Sequence, residues 1–523
     1  MIHTGVPMTI PDVTLTRHVL RHADRLADKP ALIDGPSGRS LTYRELRDSV
    51  SRAATGLARR GFRKGDVLAI YSPNLPDYAV AFLAAASLGG VVTTINPLYT
   101  ADELARQLTD SRARLLVTVP ACLDRAKEAA CRSGVDDVLV FGQAEGAAPF
   151  AALLKVEGPP PDANIDPRED VVALPYSSGT TGLPKGVMLT HRNLVANLCQ
   201  CEGMPDFEGI GERDVVMAVL PFFHVYGLEV TLLQGLTVGA TVVSMPRFEL
   251  EELLRLVQVH RASVLPIVPP IVLAMAKHPA VATFDLSSVR LVLSAAAPLG
   301  EDLARALGAR LGCPVVQGYG MTESAGATHM SPTRGAPIKP GSVGRIVPAT
   351  EARIVGVDTG VDVPAGQAGE LWVRGPQVMR GYLRRAGETA AGLDQDGWYH
   401  TGDVAYADED GDFFIVDRTK ELIKYKGLQV APAELEAVLL THPAVLDAAV
   451  VRAPDAEGGE VPRAYVVLKP EAALAGTTEA HLTGWVAERV APYKRIRRLE
   501  FIDQIPRSAS GKILRRVLME AGR

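Results

Sequence analysis

The chain has 523 residues, of which 47% are hydrophobic and 22% charged, a globular composition far from the polar, charge-rich signature of disorder. At roughly 100–200 residues per domain the length corresponds to about three or four compact units, which excludes a small binding module. The formal net charge of -5 excludes a general nucleic-acid binder, whose footprint is a strongly basic domain, so any polyanionic ligand must meet a local cluster of cations.

The first residues hold no basic segment followed by an apolar run, and the last hold no lipidation or peroxisomal signal. Cys122, Cys131, Cys199, Cys201 and Cys313 are scattered without a paired framework, which fits a reducing compartment; Cys199 and Cys201 read as core packing rather than a metal site. A cytoplasmic protein without a stable membrane anchor is expected, as a monomer or a homodimer.

From Leu41 the apolar residues Leu46, Val50, Ala53 and Leu57 recur at helical spacing and Gly61 stops the run. A strand at 66–73, a helix at 77–88, a strand at 91–95, a helix from Ala101 and a strand at 114–119 follow. The alternation resumes with a strand at 214–220, a helix at 227–238, a strand at 241–245, a helix at 249–259, strands at 263–268 and 290–295 and a helix at 300–311. Alternating strands and helices predict an α/β fold of stacked, mostly parallel sheets with both faces covered. The apolar stretches 79–95 and 262–276 are diluted by Ala, Gly and Ser87 or broken by Pro266, Pro269 and Pro270, and read as buried structure rather than membrane spans.

Between 336 and 384 short extended segments separated by Gly and Pro predict a β-rich sub-lobe. After Asp417 the texture changes to a small α+β unit with a net charge of +3, leaving -8 on the rest. The predicted boundary divides a large domain, 1–416, from a small mobile C-terminal one, 417–523.

Chemistry concentrates in YSSGTTGLPKG, 176–186. Its glycines allow close backbone approach, its hydroxyls and N–H groups can wrap phosphate oxygens, and Lys185 supplies charge; the spacing is not that of a Walker A loop. Glu323 beside Thr322 offers a carboxylate and a hydroxyl suited to Mg2+ on nucleotide phosphates. Asp403 follows a Gly turn, where an acceptor-only carboxylate can take two hydroxyls. Taken alone, His224 is a structural histidine, Gly402-Asp403 a turn, Lys512 a solvated tail charge, and Lys420, Lys424 and Lys426 a charged face.

Together these segments resemble the adenylate-forming superfamily, which includes acyl-CoA synthetases, luciferases and peptide-synthetase adenylation domains. SSGTTGLPKG, LPFFHVYG, QGYGMTES, GELWVRG, YHTGD, DRTKELIKYKGLQVAP and PRSASGKILRR stand in the family's order along almost the whole chain. The resemblance implies that Ser177, Ser178, Gly179, Thr180, Thr181, Gly182 and Lys185 hold the ATP phosphates. It implies that Gln317, Gly318, Tyr319, Thr322, Asp403, Arg418 and Lys420 bind ATP or AMP, with Tyr319 on adenine, Asp403 and Arg418 on ribose, and Lys420 as the hinge. Glu323 would hold Mg2+. Lys512 would bridge the acid and the α-phosphate, His224 would organise substrate, Lys424 and Gln429 would approach the adenylate, and Arg247, Lys426 and Gly427 would meet coenzyme A.

Within the family the wording KELIKYKGLQVAPAELEA and LPFFHVYGL is most similar to 4-coumarate:CoA ligases, which implies a cinnamate or 4-coumarate substrate. Tyr226, Leu293, Ser294, Ala295, Ala296, Gly318, Gly326 and Ala327 would line the acid pocket. Ala295 stands where the branch more often has Gly, which predicts a preference for cinnamate and 4-coumarate over bulkier methoxylated acids. Medium- or long-chain fatty acids are the main alternative substrate, with a luciferase-like oxygenase or a carrier-loading domain behind them; Arg247, Lys426 and Gly427 favour free coenzyme A.

Overall fold

Local chemistry sets the helix starts. Thr42, Thr100 and Thr190 each close a capping box with Glu45, Glu103 and Asn193, opening the helices Tyr43–Arg59, Ala101–Ser111 and His191–Glu202 and satisfying donors that a first turn leaves unpaired. Pro76–Ser87 is apolar on every face, from Tyr78 and Phe82 to its run of alanines, and is buried throughout its middle, as an all-apolar helix must be. That burial is why 79–95 is so apolar. Among the described residues no helix is long and apolar enough to cross a membrane.

The computed structural model describes residues 1–177, 184–426, 428–455, 459–470, 472, 476–508 and 511–521. In the first sheet, Val171–Ala173, Val91–Ile95, Val67–Tyr71, Ala113–Thr118 and Asp137–Val140 run parallel, and Lys185–Thr190 adds antiparallel to Val171–Ala173. In the second, Pro30–Asp34, Thr241–Ser244, Val215–Ala218, Val264–Ile267, Leu291–Ser294 and Val315–Met321 run parallel, with Gly326–Met330 antiparallel beyond them. One buried cluster joins both sheets and the helix Pro76–Ser87, through Leu32, Leu68, Phe82, Val92, Leu189 and Leu232. The predicted α/β layering is present, nearly strand for strand.

Two expectations change. The β-rich sub-lobe is a five-stranded antiparallel sheet that reaches well outside 336–384: Ile2–Thr4 pairs with Glu351–Val355, followed by Gly369–Arg374, Tyr399–Ala407 and Phe413–Arg418. A three-residue edge strand has no periodicity to read, so its partner decides it. The single helix expected over 227–238 is a π-helical segment, Tyr226–Leu233, followed by a short α-helix, Gln234–Thr237; such segments are rare and concentrate at functional sites.

The chain leaves the antiparallel sheet at Arg418 and enters a fourth sheet at Ile423. There Leu428–Val430, Ile423–Tyr425, Gly459–Leu468 and Val445–Asp455 are antiparallel neighbours, and Arg498–Phe501 runs parallel to Gly459–Leu468. This part has its own core of Ile423, Leu435, Val450, Val466 and Leu482. All five cysteines are free thiols.

The hairpin formed by Val315–Met321 and Gly326–Met330 closes tightly, since a Cβ on Gly320 would lie 1.9 Å from the Gly326 carbonyl oxygen. Gly320→Ala is therefore expected to cost about 1–3 kcal/mol, the range for overpacking a close-packed interior, and to lower the thermal melting midpoint. Gly387→Ala, where an added methyl meets nothing within 4 Å, should leave that midpoint unchanged or slightly higher.

Candidate active site

The carboxyl ends of the parallel strands and the antiparallel sheet converge on one set of polar residues. Tyr176–Ser177 and Lys185–Thr190 pair antiparallel, with Ser177 opposite Lys185, so the two stems of the phosphate loop are fixed by backbone bonding. Ser178, Gly179, Thr180, Thr181 and Gly182 lie outside the described residues. From the stem, Ser177 Oγ donates to Glu323 Oε1 at 2.8 Å, and Lys185 Nζ sits 4.9 Å from the centre of the Tyr382 ring.

Glu323 is buried on the short turn Thr322–Ser324, where Thr322 stands beside it. The hydroxyl of Tyr382 also donates to Glu323 Oε1, at 2.9 Å, and lies 3.1 Å from that of Tyr399. Oε2 has no hydrogen bond among the described residues. A single carboxylate with one committed and one uncommitted oxygen fits Mg2+, which takes one or two carboxylates and fills its remaining positions with phosphate oxygens and water. No cluster of three or more His, Cys, Asp or Glu suited to a metal occurs among the described residues, so a protein-only metal cage is absent from them.

Asp403 lies in the strand Tyr399–Ala407 opposite Arg418. Its Oδ2 accepts from the Tyr319 hydroxyl at 2.5 Å and its Oδ1 lies 3.4 Å from Arg418 Nε. Burial raises the Asp403 pKa above the ordinary carboxylate value, and the Arg418 guanidinium opposes that rise. Gln317 is held in the strand before Tyr319, its side-chain oxygen accepting from the Leu299 N–H at 3.1 Å, and Gly318 separates the two.

Lys512 arrives from the small C-terminal part. The preceding Gly511 has φ +81°, and a Cβ there would lie 3.1 Å from Val268 Cγ2 and 3.6 Å from Pro270, so the tip of this arm rests on the end of the strand Val264–Ile267. The Lys512 ammonium stands among charged groups of the large part. Burial lowers its pKa, the charge of Arg418 adds to the effect, and Asp403 and Glu323 oppose it.

His224 belongs to the same group: burial and the charge of Lys512 push its pKa down to about 3, so it is neutral near pH 7. Its Nδ1 accepts from the Tyr226 N–H at 3.2 Å, which leaves the proton on Nε2 as a donor.

On the acid side, the Tyr226 hydroxyl donates to the Leu293 carbonyl at 2.8 Å, at the end of Leu291–Ser294. Ser294 is buried, and its Oγ has no partner among the described residues. Ala295 is partly buried, and Ala296 adopts φ +72°, a strained value for a residue with a Cβ. Ala327 exchanges hydrogen bonds with Asn197, at 2.9 and 2.7 Å. Gly326 has φ +144°, and a Cβ there would lie 2.6 Å from Glu229 Oε2.

Glu229 itself escapes sequence reasoning. It is fully buried in the π-helical segment, neither carboxylate oxygen has a partner among the described residues, and burial pushes its pKa far above the carboxylate range. One signal was available, an acid inside the apolar run VYGLEVTLL. Tyr382 had no signal, because its role depends on contacts remote in sequence.

The remaining predicted residues stand apart. Lys424 pairs with Gln429 across the hairpin Ile423–Tyr425 and Leu428–Val430, both side chains are exposed, and Lys426 lies at its tip beside Gly427, which is outside the described residues. Arg247 is exposed and paired with Glu249. Lys420 is exposed, its carbonyl accepting from Arg452 at 3.1 Å. Among the described residues no side-chain hydrogen bond or ion pair joins these to the group around Lys512.

Family models match in the same two parts: an AMP-binding enzyme model over residues 19–383 and an AMP-binding enzyme C-terminal domain model over 434–512. The chain is 44% identical to 4-coumarate--CoA ligase 3 of Oryza sativa subsp. japonica, over 97% of this chain and 93% of the relative. It is 45% identical to 4-coumarate--CoA ligase 5 of the same plant, over 97% and 96%. It superimposes on ATP-bound MatB from Rhodopseudomonas palustris with a TM-score of 0.88 and 30% identity, covering 98% of this chain and 99% of that one. The chain belongs to the AMP-binding enzyme family and is an adenylate-forming acid–thiol ligase.

Proposed function

We propose that the chain activates an aryl-alkenoic acid, 4-coumarate or cinnamate, with ATP and transfers the acyl group to coenzyme A. The observation that carries this reading is the seating of the Gly511–Lys512 tip against Val268 and Pro270, which brings the Lys512 charge within influence of Asp403, Arg418, Glu323 and His224. In the first step a carboxylate oxygen attacks the α-phosphorus, a new P–O bond forms, and the bond to pyrophosphate breaks. The Lys512 ammonium offsets the repulsion between the two anions, the kind of preorganised charge that lowers such a barrier. His224 offers Nε2–H to the acid carboxylate, Asp403 accepts from the ribose hydroxyls, and Tyr319 faces adenine. Mg2+ carried with the nucleotide would be held by Glu323 and would neutralise phosphate charge.

In the second step the sulfur of coenzyme A attacks the acyl carbon, a C–S bond forms, and the C–O bond to AMP breaks. Lys512 closes the site for the first step, so the thiol needs another arrangement. In the proposed cycle the small C-terminal part beyond the antiparallel sheet rotates about Lys420, withdrawing Lys512 and bringing in Lys424, Gln429, Lys426 and Gly427, while Arg418 stays paired with Asp403 in its sheet and Arg247 meets the nucleotide end of coenzyme A. The exposed positions of Lys424, Gln429 and Lys426 support this exchange. Closure in either state shields a hydrolysable mixed anhydride from water.

The acid is read from the pocket. In this reading Glu229, buried beside Gly326 with neither oxygen partnered among the described residues, meets the acid's far end and favours a hydrogen-bonding group there over a plain alkyl chain, since a buried polar group left unpaired is costly. Pyrophosphate release measured with coenzyme A across cinnamates, benzoates and fatty acids should be fastest with 4-coumarate or cinnamate; a fatty acid at the head of the series would refute the aryl reading. Glu229→Leu is expected to lower kcat/KM for 4-coumarate relative to cinnamate by about tenfold, one hydrogen bond to a buried group.

Lys512→Ala should lose acid-dependent ATP–pyrophosphate exchange by two orders of magnitude or more, on the scale of ~10²–10³ for removing one preorganised transition-state donor, while still converting supplied acyl-AMP and coenzyme A to thioester. Its charge is present below its lowered pKa and lost as pH rises through it. The exchange reaction should therefore fall off at alkaline pH before an ordinary lysine titrates, and Lys512→Arg should move that limb upward. Lys420→Pro should show the opposite division, with exchange kept and thioester formation from acyl-AMP impaired; normal overall turnover would rule out rotation at this residue.

A further inference from the structure

Glu323 and Lys185 come from different sheets and are 138 residues apart in the chain, yet one side chain touches both. Tyr382 donates its hydroxyl to Glu323 Oε1 at 2.9 Å and presents its ring to the Lys185 ammonium at 4.9 Å, inside the ~6 Å range of a cation–π contact. We propose that Tyr382 is a positioning residue for adenylation, its hydroxyl setting the orientation of the Glu323 carboxylate and its ring setting that of the Lys185 ammonium. This rests on the roles given above to Glu323 and Lys185.

The backbone around Tyr382 is built to hold that geometry. Gly381–Tyr382 adds as a short antiparallel strand to Lys185–Thr190, with Tyr382 opposite Val187, and the Leu383 N–H donates to the Gly186 carbonyl at 2.8 Å. On the other side the Met379 N–H donates to the Glu323 carbonyl at 2.8 Å. Segment 379–383 thus splices the phosphate-loop stem to the Glu323 turn through backbone and side chain alike. Tyr382 cannot slide along the strand, since Gly381 has φ +145° and an added Cβ there would lie 2.8 Å from Thr389.

The two contacts do different work. With Ser177 and Tyr382 both donating to Oε1, the carboxylate is turned so that Oε2 is the oxygen left for a cation. The ring holds Lys185 by a weak contact that phosphate oxygens can outcompete, so the ammonium is close to its working position before nucleotide binds.

The test uses the full chain with Tyr382→Phe, which keeps the ring and removes the hydroxyl, and Tyr382→Leu, which removes both. Mn2+ retained in the complex with α,β-methylene-ATP is measured by electron paramagnetic resonance, and binding of ATP in excess EDTA by calorimetry. Tyr382→Phe should weaken Mn2+ retention about tenfold, one hydrogen bond to a charged group, and leave metal-free ATP binding unchanged. Tyr382→Leu should weaken both, and neither should change the KM for the acid. Wild-type Mn2+ retention in Tyr382→Phe, or equal loss of nucleotide and acid affinity in both variants, would overturn the proposal. Absence of acid-dependent pyrophosphate exchange in the wild-type chain would instead overturn the functional reading, since the Mn2+ and ATP measurements need no acid.

Discussion

Joining a carboxylate to a triphosphate sets two anions against each other, and the architecture follows from that repulsion. A cation must stand where the charge gathers, in a site dry enough for it to count, and must then leave so that a thiol can approach. In the proposed reaction Lys512 meets the first demand from a separate, small part of the chain, on an arm whose tip rests against Val268 and Pro270 because Gly511 admits the close approach. A lysine rooted in the large sheets could serve adenylation equally well, but it could not be withdrawn.

The rest of the site is organised to receive that arm. The helix Pro76–Ser87 is buried on all sides within the core that joins both parallel sheets. The strand ends carrying Tyr226's partners, Ser294 and Gln317 are thereby held together, as is usual for ligand sites at the carboxyl ends of parallel strands. The antiparallel sheet adds Asp403 and Arg418 as a cross-strand pair, and the turn at Glu323 is tied to it through Tyr382 and Tyr399. Contacts cross between sheets: Tyr319 donates to Asp403, and Ser177 donates to Glu323. Glu229 is the exception among the described carboxylates around the site, being buried without a partner among the described residues.

The strand and helix alternation was readable because each parallel strand is a short apolar run bounded by turns and helices such as Tyr43–Arg59 and Ala101–Ser111 have one apolar face. Reading failed where neither period applies. Ile2–Thr4 is a three-residue strand decided by its partner Glu351–Val355, and Tyr226–Leu233 is π-helical where apolar spacing alone suggests an α-helix. The site was readable in its residues, since Lys185, Glu323, Asp403 and Lys512 sit in motifs, but not in its connections. Nothing about Tyr382 in the sequence says that it faces Glu323, because contacts remote along the chain leave no period.

By itself the sequence determined the chemistry through the order of its motifs: the hydroxyl- and glycine-rich loop, the paired Thr322 and Glu323, the Gly-Asp turn and the terminal lysine, each commonplace alone, together resemble an adenylate-forming ligase before any fold is drawn. Only the tertiary structure decided which of those residues act together. It groups Lys512 with His224, Asp403, Arg418 and Glu323 and leaves Lys424, Gln429 and Lys426 on an exposed hairpin. Residue type sets what a side chain can do, but charge and hydrogen bonding act over a few ångströms, and that distance is set by how the sheets and the small C-terminal part pack.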